Sequence, residues 1–169
     1  MVECNFSDPA REAEWNTWYS DHLKVLLSVP GLNTAQRFLA LAPAPTRYFA
    51  MYTVDSPEVF VSEGYKGIRG GRFNDTWQPY IRDWRRNLFD GLDQALAVPE
   101  GSCLVIVNDA TGEADVPGVT LAWLRAVDLD KSTNYRGIAV VDLTKAEELV
   151  SDMRPGIGVY KRFTPQRTV

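Results

Sequence analysis

A similar order of predicted strands and helices occurs on both sides of a short linker, and this repeat constrains the fold more than any other feature of the chain. The first half reads strand, helix, strand, strand, helix, and the second half reads strand, helix, strand, helix, strand. An antiparallel sheet with helices on one face must cover its other face, and a second such sheet is the usual partner. That sheet comes from the second half, from a second chain, or from both. We therefore predict two packed antiparallel sheets, built from residues 1–94 and 102–169 and joined by the linker 95–101.

The predicted elements follow from periodicity and from turn residues. Strands are predicted at residues 2–6, 33–41, 46–54, 103–107, 137–141 and 159–163. Helices are predicted from the Asp8-Pro9 start to Val29, from Ser56 to Gly64, over 120–127, and from Thr144, with Glu147 completing a capping box. Residues 73–92 fit a helix or a strand equally well, and Gly67, Gly70 and Gly71 indicate a loop, a candidate lid over a pocket.

Composition narrows the class of protein. Basic residues number 18 and acidic residues 22, and the resulting net charge of −4 argues against a nucleic-acid partner. Two cysteines, Cys4 and Cys103, are too few for a disulfide framework or a zinc site, and a single histidine excludes a two-histidine metal site within one chain. The sequence contains no secretory signal pattern and no apolar run long enough for a membrane span. We therefore expect a soluble cytoplasmic protein with no metal and no membrane partner.

Aromatic residues are concentrated in the first half of the chain. Of the 19 aromatic side chains, 15 lie within residues 1–89. Such a concentration is typical of a bulky core or of a cavity for a flat apolar ligand, since binding pockets are commonly lined by aromatic side chains. Tyrosine and tryptophan also carry polar tips that can orient a ligand.

One helix and the strand after it resemble a known family. The segment Glu14-Trp15-Asn16-Thr17-Trp18-Tyr19-Ser20-Asp21-His22-Leu23 is followed by Pro30-Gly31 and then by Gln36-Arg37-Phe38. This order resembles EthD-like members of the dimeric α+β barrel superfamily, over about the first 90 residues. The resemblance implies ferredoxin-like modules, here in tandem as a pseudo-dimeric barrel, with a histidine at the barrel mouth. The superfamily includes monooxygenases with or without haem, lyases, isomerases and cyclases, so the resemblance indicates the fold better than the reaction.

The candidate site centres on His22. Residues 15, 18, 22, 26 and 29 share one face of the predicted helix, so His22 points to the core or to a cavity, with Tyr19 within side-chain reach. An imidazole with an unperturbed pKa of about 6.5 can exchange a proton at neutral pH. His22 is the candidate acid/base and Tyr19 a hydrogen-bond donor. The candidate substrate-binding residues are Trp15, Trp18, Arg37, Tyr48, Tyr65, Trp77, Trp84 and Asn87.

Three functions fit these residues. The first is a cofactor-independent enzyme of the lyase, isomerase or cyclase type, acting on a small aromatic, lactone or polyketide-like acid. The second is a monooxygenase of the same superfamily, either cofactor-free or haem-dependent, with His22 as base or iron ligand. The third is a protein that binds a small ligand without catalysis. A homodimer is compatible with each of them.

Overall fold

The structure is a computed structural model that describes residues 1–69, 72–152 and 156–169. Gly70 and Gly71 of the predicted glycine-rich loop therefore lie outside the described residues. The strands are β1 (Val2–Phe6), β2 (Leu32–Ala40), β3 (Tyr48–Val54), β4 (Ile81–Asp90), β5 (Ser102–Asp109), β6 (Ala122–Leu129), β7 (Tyr135–Asp142), β8 (Ile157–Arg162) and β9 (Arg167–Thr168). The α-helices are α1 (Glu12–Leu27), α2 (Glu63–Gly67) and α3 (Leu143–Ser151).

Eight of these strands form a closed antiparallel barrel. The order β3-β1-β4-β6-β7-β5-β8-β2 returns to β3 because β2 also pairs with β3. The short β9 extends the edge of β2 beyond β8. The α+β class and the antiparallel strands agree with the sequence prediction. The sequence predicted two antiparallel sheets packed on each other; in the structure β4 pairs with β6 and β2 pairs with β8, so the strands of both halves belong to one closed sheet. The ring closes within one chain.

The second half differs from its predicted order of elements. Residues 120–127, predicted as a helix, belong to strand β6, which pairs with both β4 and β7 and so completes the ring. The outer face that a helix would cover is packed instead by the loop before β6, through Val116 and its neighbours. Helix α3 begins at Leu143 and is capped by Asp142, whose carboxylate accepts a hydrogen bond from the Lys145 amide. The predicted cap at Thr144 was therefore wrong.

The first half follows the predicted order more closely. Helix α1 begins at Glu12 and not after Asp8, because Asp8 caps a separate turn by accepting a hydrogen bond from the Ala10 amide. The second predicted helix is a 3₁₀ turn at Pro57–Val61 followed by the short α2. The ambiguous segment 73–92 contains strand β4, preceded by a 3₁₀ turn at Gln78–Tyr80.

The linker is part of the barrel core. Val98 is buried and packs with apolar side chains that fill the barrel interior, among them Phe38 and Leu104. The Gln36 carboxamide accepts a hydrogen bond from the Val98 amide at 3.0 Å and donates one to the Val98 carbonyl at 2.8 Å. The linker therefore closes one end of the barrel and is fixed there by a buried side chain.

We expect Gln36→Leu to lower the free energy of unfolding by about 2–4 kcal/mol, because it leaves two buried backbone groups of Val98 without partners. Gln166→Leu is the matched control, since Gln166 donates one longer, partly exposed hydrogen bond to the same linker at Ala95. Urea unfolding of both variants measures the difference. Equal losses for the two would show that the Gln36 carboxamide does not hold the linker.

In the three described ranges, no helix has both the length and the apolar character needed to cross a membrane.

Candidate functional site

A cavity lies between helix α1 and the outer face of the barrel in the first half of the chain. The walls are mostly apolar and aromatic. The volume that the centre of a water molecule can occupy is about 50 Å³, several times the minimum for one bound water. Its lining residues are Met1, Val2, Tyr19, His22, Leu26, Leu32, Tyr52, Val54, Phe60, Tyr65, Phe73, Arg86, Leu88 and Leu129. A few polar groups in an apolar wall are typical of a small-molecule site.

His22 is the group in this wall best suited to proton transfer. Its ring stacks on that of Trp18, with the centroids 4.8 Å apart and the planes inclined by 14°. The Nε2 atom is buried and has no hydrogen-bond partner within the described residues. Burial lowers the pKa of His22 below its ordinary value of 6.5, so the imidazole is neutral at pH 7. A neutral imidazole in an apolar wall can accept a proton from a bound molecule.

Two tyrosines form a hydrogen-bonded pair in the same cavity. The hydroxyl oxygens of Tyr19, on α1, and Tyr52, on β3, lie 3.3 Å apart. Burial raises the pKa of Tyr19 to about 12 and that of Tyr52 well above its ordinary value of 10, so both phenols keep their protons. One hydroxyl proton serves the bond between them, and the other remains to be donated to an oxygen atom of a ligand.

Tyr65 and Arg86 contribute a second polar group to the wall. An Arg86 Nη1 proton is donated to the Tyr65 hydroxyl over 3.4 Å, and the guanidinium lies 4.8 Å above the Trp84 ring. Burial raises the pKa of Tyr65, and the positive charge of Arg86 opposes this effect. The Tyr65 hydroxyl oxygen accepts a hydrogen bond from Arg86, and its own hydroxyl proton remains to be donated.

The burial of His22 predicts a pH dependence of stability. Because the pKa of His22 is lower in the folded chain than in the unfolded chain, the unfolded chain binds more protons between the two values, and stability falls as the pH decreases through that interval. We expect wild type to lose more stability than His22→Gln between pH 7 and pH 5. Urea unfolding at each pH, with the difference taken between the two proteins, measures this. An identical pH dependence would show that His22 is not desolvated.

Of the predicted site residues, Tyr19, His22 and Tyr65 line the cavity, and Arg37 does not. Arg37 is buried and contacts α1, where its guanidinium donates to the Asn16 carbonyl and side-chain oxygens and to the Ser20 hydroxyl at 2.7–3.0 Å. It also lies 4.1 Å from the centre of the Tyr19 ring. Arg37 was predicted to bind substrate, but its guanidinium is engaged by neutral groups of α1 and attaches this helix to β2.

The tryptophans and Tyr48 surround the cavity without lining it. Trp15 is fully buried, and Trp77 packs under the guanidinium of Arg11. Trp18 packs behind the cavity wall, against the rings of His22, Tyr19 and Phe73. Tyr48 donates to the Glu12 carboxylate and accepts from Asn16 at the other end of α1.

Trp84 and Asn87 belong to β4, and neither of them lines the cavity. Trp84 lines a neighbouring surface groove with Arg69 and Arg72. Asn87 is buried and exchanges hydrogen bonds with Ser132, accepting from its amide and donating to its hydroxyl. It fixes the turn between β6 and β7, so its position is that of a structural anchor.

Tyr52 and Arg86 are cavity residues that the sequence analysis did not select. Tyr52 could have been found from alternation, because Tyr48, Ala50 and Tyr52 share one face of a predicted strand. Arg86 lies in the segment 73–92, where helical and strand periodicity could not be separated. The sequence therefore could not predict that Arg86 points into the cavity, which follows from the assignment of this segment to strand β4.

Within residues 1–69, 72–152 and 156–169, no three histidine, cysteine or acidic side chains come together as a group that could hold a metal ion. Cys4 and Cys103 are both buried free thiols, and burial raises the pKa of each.

Comparison with known proteins extends the description of the fold. No protein-family model matches the chain, and no curated protein matches it. A solved structure described as an "anthrone oxidase-like protein" is similar, with a TM-score of 0.61 over 99% of this chain and 91% of that chain. The two sequences are 11% identical, so the similarity concerns the fold and does not confirm the EthD-like resemblance of residues 14–38.

Proposed function

We propose that this protein is an enzyme that removes a proton from a flat aromatic ketone or phenol bound beside His22. The observation that carries the proposal is the buried Nε2 of His22, which has no partner within the described residues and belongs to an aromatic cavity that also holds tyrosine hydroxyls. Apolar walls favour a flat ring, and the few polar groups suit its oxygen atom.

The residues divide the chemistry between them. Neutral His22 accepts a proton from a carbon atom next to an aryl or carbonyl group, or from a phenol. The electron pair left behind delocalises onto the substrate oxygen, where the unshared proton of the Tyr19–Tyr52 pair can be donated to the developing charge. Return of the proton from His22 to a different atom completes an isomerisation, and loss of a leaving group completes a lyase step.

A second candidate is a cofactor-free oxygenase, and the likeness to an anthrone oxidase-like protein favours it. The same first step gives a carbanion, and O₂ oxidises the carbon that lost the proton, so that both hydrogens of the original CH₂ group end in water. The O₂ is reduced, one oxygen atom remains as a new carbonyl, and the other leaves as water. A haem does not fit the cavity, because about 50 Å³ open to water cannot hold a tetrapyrrole beside His22.

Hydrogen exchange at carbon tests the proposal. Anthrone and the smaller 2-tetralone both contain an acidic CH₂ group, so each is incubated with the protein in D₂O without oxygen and followed by NMR. We expect deuterium to enter the CH₂ group faster with wild type than with His22→Gln or buffer. Admission of O₂ then separates the two candidates, since quinone formation from anthrone supports the oxygenase. Binding of either ketone with no accelerated exchange would overturn both candidates and leave a binding protein.

We further infer that the two halves of the barrel are ferredoxin-like modules in tandem. The strand order is β4-β1-β3-β2 in the first half and β8-β5-β7-β6 in the second, so the first, second, third and fourth strands of each half occupy equivalent places. This equivalence supports a duplicated module in which the loop 110–121 replaces the first helix of the second copy.

A further inference from the structure

A second cavity adjoins the first where the barrel interior opens. Four residues line both cavities and so separate them: Met1, Tyr52, Val54 and Leu88. Beyond these residues the floor consists of Leu124 and Ile138, which face the barrel interior. The two cavities therefore share a wall, with the first against α1 and the second over the apolar side chains of the barrel interior.

The second cavity is more polar than the first, and its polar side chains include Thr53 and Asp93. The Thr53 hydroxyl already shares a hydrogen bond with Thr34 at 2.6 Å and accepts one from the Ala95 amide. Asp93 is exposed at the rim, and its carboxylate has no hydrogen bond or ion pair with any described residue. Leu92, beside it, is also exposed. A ligand group at this place would meet an apolar floor and a carboxylate that accepts hydrogen bonds.

We propose that the second cavity binds the tail of the substrate, so that the substrate has two parts. A flat aromatic head lies beside His22, and a short alkyl chain crosses Leu88 and ends in a hydrogen-bond donor that reaches Asp93. The donor is a hydroxyl or an ammonium group, since either can bond a carboxylate. This inference rests on the proposed function, because the head group is the one that His22 acts on.

A homologous series of phenols tests the tail. 4-Methylphenol supplies the head alone, and 4-(2-hydroxyethyl)phenol, 4-(3-hydroxypropyl)phenol and 4-(4-hydroxybutyl)phenol extend it, with 4-(2-aminoethyl)phenol as the ammonium analogue. Each dissociation constant is measured from the NMR shift of the His22 ring protons. We expect wild type to bind about threefold to fourfold tighter for each methylene buried.

Two variants outside the first cavity test whether the second cavity is the source of this gain in affinity. Leu92→Trp fills the rim of the second cavity, Asp93→Ala removes the carboxylate, and Leu92→Met is the volume-conserving control. We expect Leu92→Trp to abolish the gain with chain length and Asp93→Ala to abolish the advantage of the terminal donor, with 4-methylphenol bound equally by all. Asp93→Asn, a neutral acceptor, separates the donors: a loss for the amine alone indicates an ammonium site, and equal retention indicates a hydroxyl site.

The outcomes separate this inference from the proposed function. The tail proposal is overturned if 4-methylphenol binds but longer phenols gain nothing in wild type, or if the gain persists in both Leu92→Trp and Asp93→Ala. If 4-methylphenol itself leaves the His22 protons unmoved, the head site is absent, and the proposed function and the tail proposal are both overturned.

Discussion

Replacement of His22 by glutamine is expected to lower the rate of deuterium entry into anthrone or 2-tetralone by about 10²- to 10⁴-fold, the usual contribution of a positioned acid/base group. Glutamine can form hydrogen bonds but cannot carry a proton, and the chain contains no second histidine that could replace it. Tyr19→Phe is expected to cost less, because the Tyr52 hydroxyl remains. Circular dichroism and thermal melting check that each variant is folded.

The pH dependence identifies the same group. Burial lowers the pKa of His22 below 6.5, so the exchange rate at low substrate concentration should fall on the acid side with a midpoint below that value. This acid limb should be absent from the residual rate of His22→Gln. A variant that retained near-normal exchange would show that His22 only positions the substrate, and the base would have to be another group.

The largest expected effect on stability comes from a buried ion pair inside the barrel. The Arg136 guanidinium donates to the Glu3 carboxylate and to Asn108, and both charged residues are almost fully buried. The pair connects β1 of the first half to β7 of the second. Glu3→Ala leaves the guanidinium, which cannot lose its proton, without its counter-charge, and we expect a loss of about 3–5 kcal/mol in the free energy of unfolding.

A double variant separates the pair from the packing around it. Glu3→Leu combined with Arg136→Met replaces both charges by apolar groups, and such replacements are commonly neutral or stabilising. We expect it to recover most of the stability lost in Glu3→Ala. The exposed pair Asp21–Lys24 is the control, and its loss through Asp21→Ala should cost much less, because solvent screens exposed ion pairs. If Glu3→Ala cost no more than Asp21→Ala, the buried pair would not stabilise the barrel.

The sequence predicted that helix α1 has one buried face, and Tyr19 and His22 both line the cavity. The predicted face was displaced, because the buried residues of α1 are Trp15, Tyr19, Leu23 and Leu26, and His22 is half-buried beside them. The strands were harder to orient, since both faces of a barrel strand are buried. Gln36 and Arg37 are neighbours and each is 1% exposed, so alternation could not tell which faces the interior and which faces α1.

Closure of the barrel could not be predicted from local patterns. The pairing of β4 with β6 joins residues about 40 positions apart, and β2 with β8 more than 120 apart. Strand β6 was predicted as a helix because its short apolar pattern suits either structure, and the open edges of β4 and β7 decide its form. The segment that contains β4 also fitted either a helix or a strand, so Arg86 could not be predicted as part of the cavity wall.

The most direct test of the account is the NMR signal of the His22 ring protons during titration with 2-naphthol. Because the chain has one histidine, these resonances are identified by their absence from His22→Gln. If the cavity binds flat aromatic oxygen compounds beside the acid/base group, the resonances should shift saturably and the pKa of His22 should change in the complex. Resonances that stay unchanged while 2-naphthol binds elsewhere on the protein, or does not bind at all, would contradict the account.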